Sequence, residues 1–214
     1  MTIRKHCDNR GEWLEARQKQ GIGASEAAAI MGLSPWKTGQ QLWEEKTWRT
    51  KPGEITGNSS IDIGNRMEPA LREFFAIDHS EYSIEHYPFD ILYQAERPWL
   101  FATLDGELTR KSDGAKGILE IKTATPRGKA GWAEWDGKAP AHYQIQVCHQ
   151  MLATGWDYAI IYAALYHANG DITLRELEYY REDYEQDLKE LLDAETRFYH
   201  YIQTDTRPPL KIRF

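Results

Sequence analysis

Cysteine, long apolar runs and positive charge are all scarce in this chain of 214 residues. Its two cysteines, Cys7 and Cys148, are too few for a disulfide framework or a cysteine-built zinc site. No apolar run reaches the ~18 residues that a membrane helix needs, and the N-terminus lacks the apolar centre of a secretory signal. We therefore expect a soluble, cytoplasmic protein that has no membrane partner.

The shortage of positive charge restricts how the chain can contact nucleic acid. Lys and Arg number 26 against 33 Asp and Glu, which gives a net charge of −7. Phosphate contacts are made by basic side chains, so a uniformly basic binding surface is excluded. Acidic residues are concentrated at 176–195, whereas seven basic residues fall in the middle of the chain: Arg110, Lys111, Lys116, Lys122, Arg127, Lys129 and Lys138.

Large side chains are plentiful, with eight Trp and twelve Tyr in a chain that is 41% hydrophobic, and this composition predicts a folded domain. Apolar residues at helical spacing predict helices at about 11–20, 62–78, 140–154 and near the C-terminus. Alternating patterns predict strands at about 84–92, 99–104, 117–123, 158–167 and 172–179. Without an internal repeat or linker, residues 1–214 are interpreted as a single domain of the α/β or α+β class.

The segments TLDGE at 103–107 and GILEIKT at 117–123 carry the chemistry. The strand period of two sends Glu120 and Lys122 to one face of the second segment. A hairpin turn through Asp113-Gly114 would bring Asp105 beside Glu120. Two carboxylates and one ammonium are therefore expected to converge.

This trio suits phosphodiester hydrolysis, because carboxylates hold a hard cation such as Mg²⁺ that activates water, and a lysine stabilises developing charge. The alternative is a surface hairpin with a weak cross-strand ion pair. Apolar Leu119 and Ile121 favour a strand buried on one side, where unpaired charges are costly. Glu68, on the preceding predicted helix, either completes the ligand set or is an ordinary exposed glutamate.

Asp105 followed by Glu120-Ile121-Lys122, with Glu68 upstream, resembles the PD-(D/E)XK nuclease motif, although Leu104 stands where the strict motif has proline. Four further segments narrow the resemblance to the lambda exonuclease and YqaJ group of viral recombinases. They are W-x-x-x-R at 13–17, GASE at 23–26, GNRMEP at 64–69 and QIQVCHQM at 144–151. The resemblance implies an α/β restriction-endonuclease-like core, with a central mixed β-sheet flanked by helices.

The resemblance also assigns catalytic roles. It implies that Mg²⁺, for which Mn²⁺ is a possible substitute, is bound by Asp105, Glu120 and the main-chain carbonyl of Ile121. Lys122 takes the place of the catalytic lysine, and Glu68 that of a carboxylate near the metal and the attacking water. The active-site glutamine corresponds to Gln146, with Gln144 as the alternative.

A second set of residues resembles the family's pocket for a terminal 5′-phosphate: Trp13, Arg17, Ser25 and Thr103. Ser25 offers a hydroxyl at a predicted helix N-terminus, where it is either an anion ligand or a plain N-cap. Arg17 either grips phosphate oxygens bidentately or lies on a solvated helix face. Ile61 falls where relatives carry an apolar wedge that separates the two DNA strands.

The activity implied is a 5′→3′ exonuclease of the prophage alkaline exonuclease type. It would degrade one strand of linear double-stranded DNA from a 5′-phosphate end and leave a 3′ overhang for a single-strand annealing protein. The family forms homotrimeric rings around DNA, which would reconcile DNA binding with a net negative charge. Two alternatives stay open: a structure-specific or restriction-like endonuclease with the same metal core, and a noncatalytic DNA-binding module.

Overall fold

The fold is taken from a computed structural model, which describes residues 1–51 and 59–210, without the side chains of Gln20 and of residues 59–61. The helices are α1 Arg10–Gln20, α2 Ala27–Ile30, α3 Gly39–Lys46, α4 Ser59–Asp78, α5 Gly128–Ala133, α6 Ala141–Thr154 and α7 Glu185–Gln203. The strands are β1 Thr2–Lys5, β2 Ile22–Gly23, β3 Tyr82–Glu85, β4 Ile91–Gln94, β5 Arg97–Ala102, β6 Gly106–Arg110, β7 Lys116–Ala124, β8 Tyr158–Tyr166 and β9 Ile172–Tyr180. Short 3₁₀ turns precede α2 and α7. In the part of the chain that is described, none of the helices combines the length and the hydropathy needed to cross a bilayer.

The central sheet has the strand order β3-β6-β7-β8-β9. Strands β7 and β8 run parallel, whereas the other neighbouring pairs are antiparallel. The helix α6 supplies the connection between β7 and β8, as a parallel pair requires. The predicted mixed sheet flanked by helices is therefore confirmed.

Strand β7 lies in the middle of this sheet and is covered on both sides. Ile118 packs in the cluster that includes residues of α6, whereas Leu119 and Ile121 pack in the cluster formed with Leu71 and Phe75 of α4. The alternation predicted from the sequence is thus present. Because both faces are covered, every polar side chain on β7 needs a partner.

A second, smaller sheet has the strand order β1-β4-β5-β2. It was not predicted, because β1 and β2 have four and two residues and show no usable alternation. The predicted strand at 84–92 is wrong, since residues 86–90 separate β3 from β4. Strand β6 was missed, and with it the pairing that places Gly106 opposite Leu119.

Helix α6 is fixed in place by a buried ion pair. The His149 side chain is fully buried. Its Nδ1 lies 2.6 Å from Oε1 of Glu195 in α7, and its Nε2 lies 2.9 Å from the carbonyl oxygen of Phe101. Both neighbours accept hydrogen bonds, so both nitrogens must donate, which describes a charged imidazolium. Burial opposes that charge, but Glu195 outweighs it and raises the pKa of His149.

We expect His149→Ala to lower the free energy of unfolding by about 3–5 kcal/mol, because it leaves the Glu195 carboxylate buried without its partner. The stabilising contribution of a raised histidine pKa is complete below about pH 6.5 and is lost as the pH rises through the folded-state pKa. Urea titrations at pH 6 and pH 9 should therefore show a smaller deficit at the higher pH. Lys189→Ala, an exposed change on α7, should stay within about 0.5 kcal/mol of the wild type. An unchanged stability for His149→Ala would contradict the ion pair.

Candidate active site

Asp105 occupies the loop between β5 and β6, directly before the first residue of β6 in the central sheet. Its Oδ2 accepts a hydrogen bond of 2.8 Å from the main-chain N–H of Ile121 in β7. This contact joins the loop to β7 directly beside Glu120. The predicted convergence of the two sequence segments is therefore observed, and it depends on the pairing of β6 with β7.

The Glu120 carboxylate is 2% exposed and is held by three donors. Its Oε1 accepts a hydrogen bond of 2.5 Å from Nε2 of Gln146 and also contacts the Lys122 ammonium. Its Oε2 accepts a hydrogen bond of 2.5 Å from Nε2 of Gln150. Both glutamines lie on α6, four residues apart, so they project from the same face of the helix.

The charges of the trio are strongly interdependent. Burial and then the nearby Glu120 charge raise the pKa of Asp105 well above its ordinary value, with partial opposition from Lys122. Burial disfavours the Lys122 ammonium, but Glu120 and Asp105 outweigh that effect and raise the pKa of Lys122. The site therefore holds two acidic groups close together, with the Lys122 ammonium in contact with Glu120.

This donor set fits Mg²⁺ or Mn²⁺. Among the described residues, no group of three or more His, Cys, Asp and Glu side chains is arranged to hold a metal ion. Asp105 and Glu120 are the two side chains that would hold the cation. Mg²⁺ is commonly bound by one or two carboxylates together with water and substrate phosphate oxygens. A cation would also relieve the repulsion that raises the Asp105 pKa. The Ile121 carbonyl stays a predicted third ligand.

Glu68 lies beside the Asp105 loop and is connected to it by a residue that the sequence analysis missed. Nη1 of Arg72 is 3.2 Å from Oε1 of Glu68 and donates a hydrogen bond of 2.5 Å to the main-chain oxygen of Asp105. His86 also hydrogen-bonds to the Asp105 main chain, and burial followed by the Arg72 charge lowers its pKa. Arg72 follows Glu68 by one helical turn, a spacing that was available in the sequence, whereas His86 gave no signal.

The structure separates the two candidate glutamines. Gln146 reaches Glu120, whereas Nε2 of Gln144 donates to the carbonyl oxygen of Ala139, at the start of α6. Gln150, which was not predicted, is fully buried, and its Oε1 has no hydrogen-bond partner among the described residues. Its position four residues after Gln146 is the sequence signal that identifies it.

The predicted phosphate pocket is assembled in part. Nη1 of Arg17 donates a hydrogen bond of 2.7 Å to Oγ1 of Thr103, and its guanidinium lies 4.5 Å from the ring centroid of Trp13. Burial lowers the pKa of Arg17, with partial compensation by Glu26 and Glu120. Within the described part of the chain, Arg17 forms no ion pair. A half-buried guanidinium without a carboxylate partner is suited to binding an anionic ligand.

Ser25 and Ile61 are the remaining residues that the family resemblance predicts to contact DNA. Ser25 is wrong as an N-cap, because it lies inside the 3₁₀ turn Ala24–Glu26, whose N-cap is Gly23, where the Glu26 side chain accepts the main-chain N–H. The Ser25 side chain is exposed. Ile61 belongs to the first turn of α4, but its side chain lies outside the described residues.

The basic residues of the middle of the chain divide into two groups. Arg110, Lys111 and Lys116 lie at the hairpin that begins β7, where Arg110 pairs with Asp113 at 2.7 Å. This end of β7 is about 20 Å from Lys122, at ~3.3 Å per residue. Three exposed residues follow the other end of β7, beyond the candidate site: Arg127, Lys129 and Lys138.

We expect Asp105→Asn, in the presence of EDTA at neutral pH, to unfold at the same temperature as the wild type or a higher one. Asparagine keeps an oxygen for the Ile121 N–H and removes a carboxylate whose pKa is raised. A raised carboxyl pKa means that the ionised group costs stability above that pKa. The gain is about 2–4 °C for each kcal/mol recovered in a chain of this size. Differential scanning calorimetry provides the measurement, with exposed Asp136→Asn as the control; a clear fall in melting temperature would show that the Asp105 charge is stabilising.

Known proteins resemble this chain in sequence and in fold. Residues 12–157 match the YqaJ-like viral recombinase domain. The protein YqaJ of Bacillus subtilis, described as uncharacterized, is 31% identical over 170 residues, which cover 79% of this chain and 50% of that protein. The chain thus spans half the length of this relative.

Two solved structures share the fold. An alkaline exonuclease from Laribacter hongkongensis, LHK-Exo, superposes with a TM-score of 0.67 at 19% identity, covering 92% of this chain and 94% of the other. A phage related exonuclease from Haemophilus somnus 129PT superposes with a TM-score of 0.55 at 15% identity, covering 86% and 96%. The chain has the PD-(D/E)XK-like fold of an alkaline exonuclease, and it belongs to the family of the YqaJ-like viral recombinase domain.

Proposed function

We propose that this protein is a Mg²⁺-dependent exonuclease that degrades one strand of linear double-stranded DNA in the 5′→3′ direction and leaves a 3′ overhang. The observation that carries this proposal is a single arrangement with two parts. Asp105 meets Glu120 and Lys122 of β7, and the half-buried guanidinium of Arg17, which forms no ion pair among the described residues, is linked to the same loop through Thr103. The exonuclease names of the two structural relatives are consistent with it.

The chain's own residues account for the hydrolytic step as follows. Asp105 and Glu120 would hold the divalent cation, which, when bound, neutralises phosphate charge and lowers the pKa of water. Gln146 and Gln150 keep the Glu120 carboxylate in one orientation. The Lys122 ammonium, protonated because its pKa is raised, faces the position of the phosphate and stabilises negative charge that develops on its oxygens.

The choice of DNA ends depends on Arg17. Thr103, its hydrogen-bond partner, is two residues from Asp105, so an anion at Arg17 lies close to the carboxylate site. An endonuclease has no terminal phosphate to bind, whereas an exonuclease that begins at a 5′-phosphate requires such a pocket. Arg17 is therefore assigned to the terminal 5′-phosphate, together with Thr103 and the stacked Trp13.

The remaining DNA contacts follow from charge. Arg127, Lys129 and Lys138 are exposed beyond the site end of β7 and supply phosphate contacts. A homotrimeric ring would bring such local basic surfaces around one duplex despite the net charge of −7. The ring, the 5′-phosphate, the metal and a single-strand annealing partner are parts of the proposal.

The proposal predicts that the protein, with Mg²⁺, degrades linear duplex DNA and leaves covalently closed circles intact. Lys122→Ala should lower the rate by about 10²- to 10³-fold, the usual effect of removing one group that stabilises the transition state. Gel analysis of an equal mixture of the two DNA forms measures both effects, and EDTA should abolish them. Cleavage of closed circles would favour the endonuclease alternative, and full activity of a folded Lys122→Ala variant would refute the catalytic assignment.

Arg17→Gln should reduce kcat/KM about 10- to 100-fold on 5′-phosphorylated ends, the equivalent of ~1.5–3 kcal/mol for hydrogen bonds to a charged group. On 5′-hydroxyl ends the same variant should differ little from the wild type, because the lost contact is absent in both. Arg10→Gln, an exposed change on the same helix, should leave both rates unchanged. Equal losses on the two kinds of end would exclude Arg17 from phosphate recognition.

A further inference from the structure

Trp36 is an exposed aromatic residue held by a fixed turn. Its side chain is 68% exposed, in the segment between α2 and α3. The Ser34 hydroxyl accepts hydrogen bonds from the main-chain N–H groups of Trp36 and Lys37, at 3.2 and 3.3 Å. The Lys37 ammonium is anchored to Glu45 at 2.6 Å. The indole is thus presented to solvent from a constrained backbone, so little conformational entropy would be lost on binding.

A row of rings connects Trp36 to the candidate active site. The Trp36 ring lies 4.8 Å from the His142 ring, in an edge-to-face contact at 83°. The His142 ring lies 4.0 Å from that of Tyr143, and the Lys122 ammonium lies 5.0 Å from the Tyr143 ring centroid. The row therefore leads from the surface to the lysine assigned to the phosphate.

We propose that Trp36 is a stacking site for a nucleobase of the strand being cut, one or two nucleotides from the phosphate that Lys122 contacts. This inference rests on the proposed nuclease function and deepens it. Trp36 and Tyr143 have ring centroids 6.5 Å apart, and Tyr143 is itself within 5.0 Å of Lys122, which places Trp36 at the range of a neighbouring nucleotide. A protein surface would also accept an exposed indole, but the row of rings that ends at Lys122 favours a nucleic-acid strand.

The chemistry of the row suits an unpaired base. Every base has a π-face, so an aromatic platform binds without sequence preference, as degradation of arbitrary DNA requires. Burial, followed by the charge of Lys122, lowers the pKa of His142 to about 4. The imidazole beside Trp36 is therefore uncharged near neutral pH and serves as a ring rather than as a phosphate-binding cation.

Binding measured in the slowed Lys122→Ala background separates stacking from chemistry. Lys122→Ala is combined with Trp36→Ala, Trp36→Phe or Trp48→Ala, and the affinity for a labelled 5′-phosphorylated duplex is measured by fluorescence anisotropy in Mg²⁺. Trp48 is a matched control because it is 65% exposed and, among the described residues, has no ring contact with the row. A second series of duplexes carries a tetrahydrofuran abasic residue at each of the first four positions of the cut strand.

Trp36→Ala should weaken binding about 5- to 100-fold, whereas Trp36→Phe and Trp48→Ala should remain within about twofold. At one position of the cut strand, the abasic residue should weaken binding when Trp36 is present and have no further effect after Trp36→Ala. If Trp36→Ala and the abasic residue each reduced the affinity by the same factor whether or not the other change was present, at every position, the stacking site would be overturned. A Trp36→Ala defect that sedimentation traces to altered self-association would also overturn it. If no variant binds DNA and the wild type cleaves none, the proposed function fails as well. If the Trp36→Ala single variant, with Lys122 intact, binds DNA and cuts it at the wild-type rate, only the stacking site fails.

Discussion

The burial of one carboxylate, that of Glu120, is the constraint on which the arrangement of this protein depends. A buried carboxylate is tolerated only when its oxygens are bonded or its charge is balanced. Here the balance comes from three directions: Lys122 on the same strand, and Gln146 and Gln150 on the helix packed against it. Strand β7 and helix α6 can therefore adopt only one relative position. The site is consequently a property of the core rather than of a surface loop.

The surrounding structure extends this constraint outward. His149 lies on α6, between Gln146 and Gln150 in the sequence, and through Glu195 it ties the helix to α7. On the opposite side, Arg72 of α4 binds both Glu68 and the main chain of Asp105. Glu120 and Glu195 are thus held by side chains of α6, whereas Glu68 is paired with Arg72 of its own helix. Such cross-links favour one geometry over others of similar packing, although they add less stability than an apolar core of equal volume would.

The sequence was informative where a pattern is periodic and local. The period of two identified the faces of β7, and the Glu120 and Lys122 side chains do share one face. The turn at Asp113-Gly114 was also correct, since Gly114 has a φ of +76°. What could not be predicted depends on long-range pairing: β2 has two residues and exists only because β5 lies beside it. The N-cap assigned to Ser25 failed for a local reason, because the Glu26 carboxylate accepts the Gly23 main-chain N–H.

The residues of the candidate site likewise differ in whether their neighbours are close or distant in the sequence. Asp105, Glu120 and Lys122 could be found because they share a hairpin, and Gln150 could have been found from its four-residue spacing to Gln146. His86 and the aromatic row at Trp36 could not, because their neighbours are distant in the sequence and only the fold brings them together. The roles of all these residues in catalysis and binding remain predictions. The structure establishes their positions and contacts.

The single face of α6 that carries Gln146, His149 and Gln150 has a consequence for how this chain can change over evolutionary time. Each residue added to or removed from an α-helix rotates everything beyond it by about 100°, so an insertion between these side chains would turn one of them away from its acceptor. The hairpin at 110–116 joins β6 to β7 at the end of β7 that is remote from Lys122. Added residues there would not rotate any side chain of the candidate site. Length variation among relatives should therefore accumulate at that hairpin, while α6 keeps its residue count.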